Sequence, residues 1–336
     1  MLKVAVIGCG RISVMHFDAI AKLPQAQLVA CCDVVKEKAD NWANKLNVKA
    51  YYDYKEMLDN EELDAIHICL PHYLHVPVAM YAISKKVAVI TEKPMSIDYE
   101  SAVKAVEYAE QEDVTFGVIM QCRYNDSAQF VKKAVESGRV GKILSARSIL
   151  TWSRPDEYYT KSDWKGTWDK EGGGVVIDQA IHSIDLAHWI INSDVVKVDC
   201  SMANRGHEVV EVEDSAEGLV TYANGVKYGF YCMNNYARNE AIEIRFCCEK
   251  ADIMLNYDYA EIDYHDGRKE LIHGNKELIT IEGGINYWGH QHIRQIEQFY
   301  KACLKQEPLQ MSGRVALNTH KLIFAIYDQG KKYIKK

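Results

Sequence analysis

Leu2-Lys3-Val4-Ala5-Val6-Ile7-Gly8-Cys9-Gly10-Arg11-Ile12-Ser13 is the stretch on which the fold turns. Leu2–Gly8 is a short apolar run that reads as a strand. It stops at two glycines, and Ile12–Lys22 then takes up a helical period. The same grammar continues outward: strand Gln27–Asp33, helix Lys36–Asn47, strand Asp64–Leu70, helix Tyr73–Ser84, strand Val87–Thr91, helix Tyr99–Glu110 and strand Val114–Met120. Strands that alternate with helices predict an α/β domain, a doubly wound parallel sheet with helices on both faces. Parallel neighbours require such crossovers, and these are right-handed.

Beyond Arg123 the pattern changes. A helix over Ser127–Ser137 ends at Gly138, and a long strand-like run spans Lys142–Trp152. A loop rich in Trp, Tyr and charge covers Ser153–Glu171, and a glycine triplet opens a helix over Val175–Ile191. Strand-like runs follow at Val196–Asn204, Glu217–Tyr222, Val226–Met233, Ala241–Cys247 and Ile253–Tyr257. Asn224-Gly225 between two of them is a strong hairpin signal. Two helices, near His290–Leu304 and Val315–Tyr333, close the chain. The expected division is residues 1–122 and 123–336, the second part an α+β domain whose successive strands form a mainly antiparallel sheet. The last helix is free to pack back on the first part.

Composition narrows the function. With 336 residues, 48% hydrophobic and 26% charged, the chain has material for two cores. A net charge of −7 is the wrong sign for a general nucleic-acid binder or for docking on anionic lipid. No apolar run approaches the ~20 residues of a membrane span, and the N-terminal run is too short for a signal peptide. Ten cysteines without a C-x-x-C pair read as buried thiols in a reducing cytoplasm.

Gly8-Cys9-Gly10-Arg11-Ile12-Ser13 is G-x-G-x-x-S between a strand and a helix. Gly8 suits a tight turn, Gly10 lets backbone approach a pyrophosphate, and the helix N-terminus presents N–H groups to phosphate. Ser13 replaces the usual third glycine with another small residue. Asp33 ends the second strand, where a carboxylate accepts from ribose hydroxyls and repels a 2′-phosphate. The pattern points to NAD rather than NADP.

Two further segments carry chemistry. Thr91-Glu92-Lys93-Pro94 lies at the carboxyl end of a predicted parallel strand, the edge where such sheets bind ligands. There Lys93 can stabilise negative charge on a substrate oxygen. In Gly172-Gly173-Gly174-Val175-Val176-Ile177-Asp178-Gln179-Ala180-Ile181-His182, Asp178 and His182 are four apart and share a helix face, which Asp185 extends. Histidine suits proton transfer near neutrality, and a nearby carboxylate can orient it. The bland reading of both segments is a solvated lysine and a structural Asp–His pair. His182, His188, His290 and His292 form no convincing ligand set, so no metal is expected.

These motifs occur in one order with Pro71-His72-Tyr73-Leu74-His75 and Tyr287-Trp288-Gly289-His290. Together they resemble the glucose–fructose oxidoreductase/inositol dehydrogenase (Gfo/Idh/MocA) family over nearly the whole chain. The resemblance implies an N-terminal Rossmann domain and a C-terminal domain with an open, mainly antiparallel sheet. It implies that Lys93, Asp178 and His182 are catalytic. Cofactor contacts would fall on Gly8, Gly10, Arg11, Ile12, Asp33, Leu70, Pro71, His75, Glu92 and Lys93. His72 stands where the family usually has Asn. Arg123, Tyr124, Trp152 and Trp164 join Lys93, Asp178 and His182 as substrate-side candidates, because aromatic loops suit the apolar faces of sugars. A homodimer or homotetramer is implied as well.

The reading that follows is hydride transfer between NAD and a secondary alcohol of a sugar, sugar derivative or cyclitol. One rival is a redox-neutral glycosidase working through a 3-keto intermediate. A second is a non-catalytic NAD-responsive regulator, which would be expected to have lost the Lys–Asp–His set.

Overall fold

The computed structural model describes residues 1–257, 259–274, 291–331 and 334. The chain divides into two compact units, residues 1–121 with 277–318, and residues 122–276 with 319–336.

In the first unit the elements run β1 (Leu2–Ile7), α1 (Ser13–Lys22), β2 (Ala26–Cys32), α2 (Lys36–Leu46), β3 (Lys49–Tyr51), α3 (Tyr54–Asn60), β4 (Ala65–Ile68), α4 (His75–Ser84), β5 (Ala88–Thr91), α5 (Tyr99–Gln111) and β6 (Phe116–Val118). The sheet order is β3-β2-β1-β4-β5-β6, every pair parallel. This is the order of the dinucleotide-binding doubly wound fold, with its switch point at β1. The sequence reading lacks β3 and α3. The strand is only three residues long, and α3 announces itself by its cap alone: Asp53 accepts from the Lys55 and Glu56 N–H groups.

In the second unit α6 (Asp126–Glu136) leads into β7 (Ile143–Thr151), α7 (Asp156–Thr160) and α8 (Ile181–Ile191). Strands β8 (Val195–Ala203), β9 (Ser215–Tyr222), β10 (Lys227–Met233), β11 (Glu243–Cys248), β12 (Ala251–Leu255), β13 (Tyr259–Tyr264) and β14 (Lys269–His273) follow. Their order is β14-β13-β12-β11-β7-β10-β9-β8, antiparallel except for the parallel pair β7/β10. The Asn224-Gly225 turn joins β9 to β10 as expected, with Gly225 at φ +87°. α6 lies against β12–β14 and α8 against β7. Strands β13 and β14 escape the sequence reading because Glu261, Asp263, Lys269 and Glu270 dilute their apolar alternation.

Helix α9 (His292–Cys303) belongs to the first unit. α10 (Gly313–Gly330) ends the regular structure. The expected segment Tyr287–His290 and Tyr333 lie outside the described residues. α9 buries Ile296, Phe299 and Tyr300 in one cluster with Val4 and Val6 of β1, Phe17 and Ile20 of α1 and Ile90 of β5. Each such side chain contributes about 1.5–3 kcal/mol through removal from water. The nucleotide-type sheet is therefore completed by chain from the far end of the sequence.

Candidate active site

Gly8 ends β1 at φ +95°, and a Cβ there would stand 2.3 Å from the Cys69 carbonyl oxygen. The fold itself demands that glycine. Gly10 differs, since a Cβ on it would meet nothing within 4 Å. Its bareness serves no internal contact and leaves room for an approaching ligand, which fits a dinucleotide pyrophosphate. The Asp33 carboxylate accepts from Cys9 N–H (2.8 Å) and Val35 N–H (2.8 Å), so it fixes the glycine loop against the end of β2. Ile12 is half-buried and Arg11 exposed beside it.

The next two strands deliver the other turns of this edge. His75 ties them together: its Nδ1 lies 2.6 Å from the Pro94 carbonyl oxygen and its Nε2 2.8 Å from that of Leu70. Lys93 follows β5, half-buried, and Pro94 after it is cis. Glu92 turns inward, where its carboxylate meets His16 Nε2 at 3.0 Å and His292 Nε2 at 3.1 Å, with Lys93 N–H 3.2 Å from the second oxygen. His16 Nδ1 lies 2.8 Å from His67 Nδ1, and His67 Nε2 2.8 Å from the Tyr300 hydroxyl. Burial holds the His16 and His67 pKa values below the usual imidazole range. Burial works to neutralise Glu92, but the two imidazole bonds keep it well below the ordinary carboxyl value. One proton arrangement then satisfies every contact. Tyr300 O–H donates to His67, His67 Nδ1–H to His16, and both His16 and His292 Nε2–H to Glu92. The His16, Glu92 and His292 ligand atoms lie within 4.8 Å of one another, and these hydrogen bonds account for all three. His292, grouped in sequence with His182 and His188, thus keeps different company. The Glu92 side chain, expected at the cofactor, supports the Lys93 turn from below.

In the second unit the glycine triplet has a specific cause. A Cβ on Gly174 would fall 1.9 Å from the Glu213 carbonyl oxygen, and one on Gly173 2.0 Å from the Tyr327 hydroxyl. The glycines admit Glu213, whose carboxylate accepts from Gly174 N–H (2.9 Å), Val176 N–H (3.0 Å) and Tyr327 O–H (2.7 Å). A carboxylate there answers both the unpaired amides and the positive end of the following helix. Val176–Ala180 forms a π-helical turn before α8, a departure from the continuous α-helix expected over Val175–Ile191. Asp178 lies in that turn and His182 in the first turn of α8; both are buried. π-turns recur at functional sites because they re-aim side chains. Asp185 is held below the usual range, against its burial, by Arg123 foremost and also by Thr319 and the nearby His182.

Residues 2–120 match the family described as "Oxidoreductase family, NAD-binding Rossmann fold", and residues 128–254 match the "GFO/IDH/MocA C-terminal domain". The chain belongs to the Gfo/Idh/MocA family. It is 28% identical over 200 residues to the myo-inositol 2-dehydrogenase of Thermotoga maritima, covering 59% of this chain and 57% of that protein. It is 26% identical over 340 residues to the D-apiose dehydrogenase of Paraburkholderia graminis, covering 97% and 86%. Among solved structures it is similar to the WlbA dehydrogenase of Bordetella pertussis in complex with NADH and UDP-GlcNAcA (TM-score 0.85, 26% identity, 98% and 96% covered). The matched regions span between 57% and 63% of the first three curated relatives.

Membership in Gfo/Idh/MocA makes the first unit an NAD-binding Rossmann domain. In the second unit the structure sorts the expected substrate residues. Arg123 is buried in a two-pronged ion pair with Asp185 (2.8 and 2.6 Å) that braces α8. Trp152 is buried too, its indole N–H donating to the Glu240 carbonyl oxygen. Tyr124 and Trp164 stay half-buried. The residue that sequence missed is Lys165. Its Nζ donates to the Tyr158 hydroxyl (2.7 Å), and lies 3.3 Å from Asp178 and 3.5 Å from Glu171. A lysine in an irregular loop has no periodicity to betray it; its neighbour Trp164, a substrate-side candidate, is the local signal.

Two buried carboxyls make stability depend on pH. Burial pushes Glu213 up to about 7 against its hydrogen bonds, and Glu171 up to about 7 against the pull of Lys165. A raised carboxyl pKa means that the folded state holds the proton more tightly, so its contribution is full in acid and is lost as pH rises through 7. The lowered groups Glu92 and Asp185 do not titrate in that window. The loss therefore runs from the ordinary carboxyl value of 4.5 to about pH 7, and across that range the melting temperature of wild type is expected to drop relative to that of Glu213→Gln as pH rises. Equal slopes by scanning calorimetry would remove Glu213 as a cause.

Proposed function

We propose that this chain is an NAD(H)-dependent dehydrogenase that acts on a secondary hydroxyl of a sugar, sugar derivative or cyclitol. The observation that carries the reading is one edge of one sheet. The carboxyl ends of β1, β2, β4 and β5 deliver the glycine loop, Asp33, Leu70-Pro71 and Lys93 side by side.

Bound NAD supplies the hydride acceptor, held by the Gly8–Ile12 loop, by Asp33 at the adenine ribose, and by the Leu70–His75 and Lys93 turns. Lys93 donates a hydrogen bond to the substrate oxygen and stabilises its charge as the hydroxyl loses its proton. His182 takes that proton as general base. Asp178 accepts from a neighbouring hydroxyl and helps to orient His182. Tyr124 and Trp164 offer ring faces to the sugar. The test is a screen of sugars, cyclitols and glycosides by NADH absorbance. Absence of NADH binding by the purified protein would end the proposal, and aglycone release without net NADH would transfer it to the glycosidase rival.

Cofactor choice follows from Asp33. Asp33→Ser removes the charge that repels a 2′-phosphate, so the NADP/NAD ratio of kcat/KM is expected to rise at least about tenfold. An unchanged ratio assigns Asp33 only to holding the Cys9 and Val35 amides.

We place the protein in the cytoplasm as a homo-oligomer. All ten cysteines stand as free thiols. No helix among the described residues is long and apolar enough to cross a membrane. Directly paired strand residues share a sheet face, so Asp199, Leu219, Arg147, Arg245, Met254, Glu261 and Leu271 stand in one row on the side away from α6 and α8. That row offers apolar side chains and charges of both signs to a second copy, which light scattering on the purified protein would detect.

A further inference from the structure

Arg154 opens the aromatic loop of the second unit. It is half-buried, with its guanidinium carbon 4.8 Å from the Trp152 ring centroid and 5.5 Å from that of Tyr158. Its Nη1 donates to the Ser153 carbonyl oxygen (2.7 Å) and to Asn239 Oδ1 (3.1 Å), and the same Oδ1 accepts from Ser153 N–H (3.0 Å). Two rings and two oxygens thus hold the group in place. Its other edge, formed by Nε and Nη2, has no hydrogen-bond or carboxylate partner among the described residues. Arg123 shows what that edge takes in this protein: its Nε and Nη2 grip the two oxygens of Asp185 at 2.8 and 2.6 Å. Such a planar fork matches a carboxylate or a phosphate.

Two chains of contacts tie this arginine to Asp178. Through side chains, the Tyr158 ring that carries the guanidinium ends in a hydroxyl that donates to Asp178 Oδ2 (2.8 Å). Through the backbone, Arg154 N–H donates to the Asn234 carbonyl oxygen (2.8 Å), Asn234 Nδ2 to Gln179 Oε1 (2.8 Å), and the Gln179 amide N–H to Asp178. One tyrosine side chain therefore separates the cation from the carboxylate, a length that one sugar ring and its substituent also cover. Lys165, 3.3 Å from Asp178, offsets the charge of that carboxylate, so repulsion of an incoming anion is reduced. We propose that Arg154 is a specificity-determining residue that binds an oxyanion on the substrate, so that the chain takes an acidic sugar, a uronate or a sugar phosphate, in preference to the neutral parent. The proposal rests on the reading of Asp178 as a substrate-side carboxylate and names the substrate class of that site.

The test is titration calorimetry of the NADH-loaded protein with D-glucuronate, D-galacturonate, D-glucose 6-phosphate and D-galactose 6-phosphate, each beside its neutral parent sugar. At least one acidic sugar is expected to bind at least about tenfold more tightly than its parent, the worth of one charge-assisted contact. Arg154→Met is expected to abolish that preference and to leave the affinities for the neutral sugars and for NADH unchanged. Arg154→Lys, which keeps the charge without the fork, is expected to restore only part of it. Whether the uronates or the phosphates respond identifies the oxyanion. Should Arg154→Met fail to fold, Arg154→Lys decides together with wild type at raised ionic strength, where the acidic sugar is expected to weaken and its parent to hold. Acidic sugars that bind no better than their parents, or a preference retained in Arg154→Met, overturn the proposal. Turnover with NAD separates the two readings. Acidic sugars that bind through Arg154 but yield no NADH would remove the dehydrogenase reading alone, whereas NADH formed from neutral sugars without any acidic preference would remove this proposal alone.

Discussion

Lys93→Met is expected to lower kcat by about 10²–10³-fold or more, with NADH affinity within about threefold of wild type. Methionine keeps the length of the side chain and removes its charge and its donors. The turn itself is expected to survive, because the Lys93 bond to Glu92 is made by its backbone N–H and the support beneath comes from His16 and His292. The loss should therefore appear in chemistry rather than in folding. Combining Lys93→Met with His182→Ala should cost far less than the product of the single losses, since groups that act on one oxygen and one proton work as a unit. Steady-state turnover with the substrate found by screening, beside NADH fluorescence titration, measures both. A Lys93→Met enzyme with wild-type kcat would strip the residue of its role.

Gly174→Ala is expected to destabilise the protein by about 3 kcal/mol or more, among the largest effects a single methyl can have. The added carbon would stand 1.9 Å from the Glu213 carbonyl oxygen, which is backbone and cannot swing aside. Relief requires Glu213 to retreat from the Gly174 and Val176 amides. Those amides and a buried carboxyl then lose their partners. Gly138→Ala is the matched control. Gly138 has φ +72° but nothing within 4 Å of its missing Cβ, so only about 1 kcal/mol of backbone strain is expected there. Urea unfolding of both variants gives the comparison. A Gly174→Ala loss no larger than the control would mean that the close approach to Glu213 is dispensable.

The parts of this molecule that were legible in its sequence are those whose signal is local. Leu2–Ile12 announces a strand, a turn and a helix within a dozen residues, and repetition of that unit predicts the parallel sheet. Asn224-Gly225 marks its hairpin for the same reason. Other features depend on partners distant in sequence. The first glycine triplet position to be explained, Gly174, is needed because of Glu213, and Gly173 because of Tyr327; no local pattern links them. The π-turn at Val176–Ala180 looks apolar and helical in sequence, and its departure from α-geometry shows only once those anchors are placed. Arg123, a substrate-side candidate, is another such case: its two-pronged partner Asp185 is 62 residues away, and no local pattern announces the pair. Glu92 and Lys93 are adjacent in sequence, yet one turns to the interior and the other does not.

The buried histidine chain has a practical consequence for protein engineering. Its members come from α1, β4, the end of β5 and α9, so the first unit is stitched together from both ends of the polypeptide. A module excised after Gln121 would leave the Glu92 carboxylate with one imidazole instead of two and the His67 ring without its tyrosine. Any chimaera that borrows this cofactor domain must therefore carry the α9 segment with it, whether by a new linker or by circular permutation.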